Sequence, residues 1–259
     1  MFRNHWLSNR KGELTTQQIV ILIIVIISFI VLLYFLFLLN PKETSSKQIC
    51  YNSVVLISKS SDLVGELDCK TNYLCISGGD SCTSFNPTIT AKVDASKKDE
   101  VLKTIADEMA DCWWMFGEGE LNYLSAGLVE EGKEIIDSSN PYHCAICSKI
   151  KFDKKIQDKI KEITYSELAD YMKTHQTSHK ASSSYLKYLY GVNSLESSNA
   201  QIKEFDVNSV PISTSKDYLI ITGKDPELLW GTEYKKVQLI SVDDSLTKSE
   251  CGIFDITQS

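Results

Sequence analysis

Residues Ile19–Leu39 form an unbroken run of 21 residues without a charge, interrupted only by the polar Ser28 and Tyr34. At about 1.5 Å rise per residue such a helix is roughly 30 Å long, the thickness of a hydrocarbon core. The run is longer than a cleavable signal's apolar region, and no small-residue cleavage site follows it. Asn40-Pro41 should close it, because proline disfavours helical geometry at the preceding residue and cannot donate to the helix. A core helix would need this stretch covered on every face by other parts of the chain. The sequence therefore predicts a transmembrane helix over 19–39, with the lipid bilayer as its partner.

Orientation follows from the flanks. Arg3, Arg10 and Lys11 against Glu13 precede the run, whereas Lys42 and Glu43 cancel after it. Under the positive-inside rule, 1–18 is a short cytoplasmic segment, 40–49 a linker and 50–259 an extracytoplasmic domain at the cell membrane. Beyond Asn40 there are 24 lysines against 33 acids and no arginine, an excess of nine acids. An acidic surface lacking the forked guanidinium donor is unsuited to phosphates and base edges, so nucleic acid is excluded as a partner.

Cysteine usage points the same way. Cys50, Cys69, Cys75, Cys82, Cys112, Cys144, Cys147 and Cys251 all follow the apolar run and none precedes it. An even number confined to the exported part reads as a disulfide framework. Zinc would need two paired knuckles, and only Cys144-Ala145-Ile146-Cys147 has the spacing, so no metal is expected. A thiol oxidoreductase would open a helix with that motif. Here Ser148-Lys149-Ile150-Lys151-Phe152 alternates like a strand, with Ile146, Ile150 and Phe152 on one face. Along a strand the two cysteines would stand roughly 10 Å apart, too far to bond each other.

The stretch from Arg10 through Lys11-Gly12-Glu13 to Gln18, leading directly into the apolar run, resembles the class III signal of archaeal type IV pilin-like proteins. That resemblance implies cleavage between Gly12 and Glu13 and a subunit that assembles through its N-terminal helix. The position five residues after the cut, where the family often has an acid, is Gln17 here. The Cys112–Tyr123 segment, with the Cys144–Cys147 strand, also resembles single-pass archaeal membrane proteins, which implies topology and no activity.

The remaining pattern predicts an α+β fold, an N-terminal transmembrane helix followed by one disulfide-rich mixed domain. Strands are expected at 54–58, 67–77, 88–93, 218–222 and 236–242. Val101, Leu102, Ile105, Met109, Cys112, Trp113 and Phe116 recur at helical spacing after a Ser96/Asp99 cap, and Gly117 should end that helix. Further helices are expected at 153–163, at 164–174 behind a Thr164-x-x-Glu167 capping box, and at 185–190 before Gly191. Residues 193–210 read as a long loop, and Cys112 is expected to bridge its helix to Cys144 or Cys147.

No catalytic residue and no cofactor is expected. The candidate ligand-binding residues are Trp114, Glu118 and Glu120, since an aromatic face beside acids can hold a sugar. Core packing is the stronger reading of this segment: Trp113 and Phe116 continue the apolar stripe and should be core, which leaves only Trp114 to be explained. His175 and His179 would share a face if helical, but their polar surroundings read as surface. Ser182-Ser183-Ser184 lacks a nucleophile elbow, and Glu118/Glu120 and Glu130/Glu131 are pairs of a kind frequent on acidic surfaces. These readings favour a surface-displayed, non-enzymatic structural or protein-interaction module, with a protein partner or self-assembly. The alternative is an extracytoplasmic enzyme or carbohydrate-binding domain acting on envelope polymers.

Overall fold

The computed structural model describes residues 16–38, 41–59, 67–83, 86–121, 142–193, 211–224, 234–242 and 251–254. The chain divides into two units, Met1–Glu43 and Thr44–Ser259. The first contains helix α1, Thr16–Leu38. Among the described residues no helix is long and apolar enough to cross a membrane. The expected transmembrane helix at 19–39 is corrected on that finding. Gly12 and Glu13, where a signal peptidase was expected to cut, lie outside the described residues.

Helix α1 ends at Leu38, ahead of Asn40-Pro41 as expected, but Pro41 also opens a second helix, α2, Pro41–Lys59. A proline is tolerated at the first helical position because the N–H it lacks has no acceptor there. The helix runs through the 40–49 segment expected as a linker and through the strand expected at 54–58. Val54 and Val55 suit a strand, but Cys50, Val54 and Ile57 are the buried residues, and their spacing of four and three is helical.

The second unit is α+β, as expected for the domain. A six-stranded mixed sheet runs β2-β1-β3-β6-β7, with β8 also paired to β3. The strands are β1 (Asn72–Ser77), β2 (Ile89–Lys92), β3 (Tyr142–Phe152), β6 (Tyr218–Lys224), β7 (Tyr234–Ser241) and β8 (Cys251–Phe254). The two short strands β4 (Glu162–Thr164) and β5 (Pro211–Ser213) pair separately. β3 organises the sheet. One edge takes β6 antiparallel, and the other takes β8 against Tyr142–Ala145 and β1 against Ser148–Phe152, both parallel. The tail expected around Cys251 is thus a strand.

Helix α3 (Lys98–Met115) packs on the sheet, burying Val101, Ile105, Ala106, Met109 and Cys112 completely or nearly so, as its period required. Val101, Ile105 and Met109 each contribute about 1.5–3 kcal/mol by leaving water. Its N-cap is Lys97 without a side-chain cap, because Ser96 instead bonds Asp94. The first turn carries Asp99 and Glu100, whose charges complement the helix dipole. The expected helix at 153–163 shortens to α4, Lys154–Lys159, capped by Asp153. Helices α5 (Tyr165–Thr174) and α6 (Tyr185–Tyr190) lie where expected, with the Thr164/Glu167 capping box formed and Gly191 left-handed at the stop.

The alternation expected along β3 is broken. Its register with β6 shifts between Ile146 and Ser148, a β-bulge. Ala145 and Cys147 lie in the main core with Ile150 and Phe152, whereas Ile146 packs against Cys144, Leu219 and Ile221 in a second cluster. The inserted residue changes the parity, so Ile146 faces away from Ile150. Cys147 and its neighbour Ser148 consequently both reach α3, the first by a disulfide and the second by a hydrogen bond.

Candidate functional site

Three disulfides join described residues: Cys50–Cys69, Cys75–Cys82 and Cys112–Cys147. Cys144 is also disulfide-bonded, and no described cysteine is free. The Cys112–Cys147 bridge ties α3 to β3, one of the two pairings expected for Cys112. Cys144 and Cys147 join different clusters rather than each other. Neither thiolate is available to a metal, and among the described residues no group of His, Cys, Asp or Glu could hold one.

The polar centre of the domain lies where α2, α3 and the loop before α6 meet. Lys47 Nζ donates to Glu108 Oε2 at 2.7 Å and to Asp111 Oδ2 at 2.5 Å. The other oxygen of Asp111 bonds His179 Nε2 at 2.6 Å, and the other oxygen of Glu108 accepts from the Ser148 hydroxyl. Glu108 and Ser148 are buried, and the Lys47 side chain is 15% exposed. Burial pushes the Lys47 ammonium down, but Glu108 and Asp111 outweigh it and leave the group above its ordinary value. Burial likewise pushes Asp111 up, and the His179 bond followed by Lys47 outweighs that and holds the carboxyl low. The cluster is an ion network in which each partner compensates the desolvation of the next.

Four rings close one side of it. Tyr51 stacks on Trp114 with centroids 4.5 Å apart, Trp114 faces His179 at 5.4 Å, and His179 faces Tyr188 at 6.0 Å. Trp114 therefore stacks on both Tyr51 and His179. The Tyr188 hydroxyl donates to Glu118 Oε1 at 2.8 Å. Glu118 sits at φ 56°, between Gly117 and Gly119, both also at positive φ. A side chain at that φ costs on the order of 1–2 kcal/mol, offset here by the tyrosine bond. A Cβ at Gly117 would lie 2.5 Å from Leu121, so that position excludes other residues twice over. Glu120 is exposed and outside this network.

The sequence-predicted residues Trp114 and Glu118 are thus brought to one place, and Glu120 is not. His175 and His179 do not share a helix face, since α5 ends at Thr174, as expected, and His175 stacks on Tyr171 at 3.9 Å. His179, read as surface, is an ion-network member instead. Sequence reasoning missed Lys47, Glu108, Asp111 and Ser148. Glu108 carried a signal: it lies three residues after Ile105 and four before Cys112, a charge inside an apolar stripe. Nothing local marks Lys47 or Asp111.

No family model, curated protein or solved structure matches this chain.

Proposed function

We propose that this protein is a non-enzymatic structural subunit that assembles with copies of itself through α1 and displays its disulfide-bonded domain outside the cytoplasm. One observation carries the reading. From Ile19 to Tyr34 the apolar side chains of α1 lie 42–63% exposed, on every face of the helix. A helix apolar all round is stable only when something apolar covers it. The Ser28 hydroxyl in its middle bonds back to the Ile24 carbonyl at 2.8 Å, within the helix itself. Side-by-side packing of α1 copies covers every face at once, the arrangement implied by the pilin-like resemblance of Arg10–Gln18. The disulfides support placement outside the cytoplasm, because reducing systems inside would open them. The alternative, an enzyme or sugar-binding domain on envelope polymers, needs Trp114 and Glu118 turned toward a ligand. Both are engaged within the protein.

Sedimentation of the full chain tests this. The wild type should form large particles, and a full chain with Ile26→Asp and Ile30→Asp should sediment as a monomer with its disulfides intact. A monomeric wild type overturns the reading, as does a wild type that stays monomeric and only floats with phospholipid vesicles.

A further inference from the structure

The Lys47 amine lies within hydrogen-bond reach of two carboxylates from one turn of α3, on a side chain only 15% exposed. Its two neighbours are not equivalent. Asp111 presents Oδ2 to Nζ while His179 Nε2 holds Oδ1 at 2.6 Å. Glu108 presents Oε2 to the same Nζ at 2.7 Å and is 5% exposed. A nucleophile, a carboxyl carbon, a base that can relay protons and a hydrogen-bond partner on the remaining oxygen are therefore assembled together. We propose that Lys47 and Asp111 form an intramolecular amide cross-link joining α2 to α3.

The step balances without an outside reagent. Glu108 accepts a proton from the Lys47 ammonium, and the freed amine attacks Cγ of Asp111. The Nζ–Cγ bond forms and the Cγ–Oδ2 bond breaks as Oδ2 departs as water, both of its protons coming from the nitrogen by way of Glu108, while Oδ1, hydrogen-bonded to His179, stays as the amide carbonyl oxygen. Ammonium plus carboxylate become amide plus water, with no electron transferred and no net charge change. His179 and Glu108 end in the protonation states in which they began. Holding the reacting groups together raises their effective concentration to as much as about 10⁵–10⁸ M, which favours condensation that free amines and carboxylates in water do not undergo. The ion pair is the resting state, since its charges hold Lys47 up and Asp111 down, so the reaction is slow and completes as the folded protein ages.

The proposal is independent of assembly through α1. Its test is mass spectrometry of the purified, aged full chain, reduced and denatured. The wild type should be lighter than its sequence by one water, and digestion should give a branched peptide joining Lys47 to Asp111. Lys47→Arg keeps the positive charge but not the amine, and Glu108→Gln removes the base. Both should have the unmodified mass, with the wild-type disulfides and circular dichroism. A wild type of unmodified mass overturns the proposal outright, whatever the variants do. A branch to Glu108 instead of Asp111, or a Glu108→Gln variant that still links, overturns the assigned roles.

Discussion

At the scale of single residues the domain is held by pairs that the chain order hides. Tyr185 donates to Asp107 at 2.5 Å and Tyr188 to Glu118, and burial first, then these carboxylates, push both phenols well above their ordinary range. A folded-state pKa raised above the unfolded one contributes stability that is fully present below the unfolded value, about 10, and is lost as pH rises toward the folded one. Ultraviolet titration should therefore show these two phenols ionising only as the protein unfolds. Tyr188→Phe should ease the alkaline loss of stability, and an unchanged alkaline limb would refute the assignment. Glu167 runs the opposite way: burial raises it, but Lys98 and the Thr164 cap outweigh that and hold it low. Its contribution is present above its unfolded value and is lost as pH falls through the folded one. The stability gap between wild type and Glu167→Gln should shrink as pH drops from 7 into the carboxylate range. Because the Lys98–Glu167 pair is exposed, the gap should stay within about 1 kcal/mol.

At the scale of elements the two helices that sequence placed best are those with complete local signals. Helix α5 has a capping box at Thr164 and Glu167, and α6 has Ser184 at its start and a left-handed Gly191 at its stop. Thr164→Ala should cost about 1 kcal/mol in denaturant unfolding, with the m-value unchanged. The apolar stripe of α3 was equally legible. Met109→Ala, at a fully buried site between helix and sheet, should cost about 2–5 kcal/mol. A loss under 1 kcal/mol would mean that α3 does not pack as described. What α2 hid is instructive. Its β-branched Val54 and Val55 suggested a strand, and only the burial of Cys50, Val54 and Ile57 on one side makes it a helix. In β3 the bulge between Ile146 and Ser148 reverses parity in mid-strand, which a period of two cannot announce.

For the whole molecule the bridges are the largest constraint. Each disulfide contributes about 2–4 kcal/mol by restricting the unfolded chain, and a domain's net stability is typically only about 5–15 kcal/mol. Thiol counting under denaturing, non-reducing conditions should find no free cysteine. Reduction should unfold the Thr44–Ser259 unit, whereas chelators should leave it unchanged. Several free thiols with bound zinc would contradict both the bridges and the oxidising location drawn from them. The sequence by itself determined the apolar character of α1, the acidic domain, the oxidised cysteines, the α3 stripe and the capped helices. Each of those is written in composition or in neighbours a few residues apart. Only the tertiary structure decided that Pro41 begins a helix and that Cys112 pairs with Cys147. It alone brought Lys47, Glu108, Asp111, Ser148 and His179 together from four distant segments. Local signals act through one or two turns of chain, whereas such contacts depend on how α2, α3 and β3 pack, which no short window of sequence records.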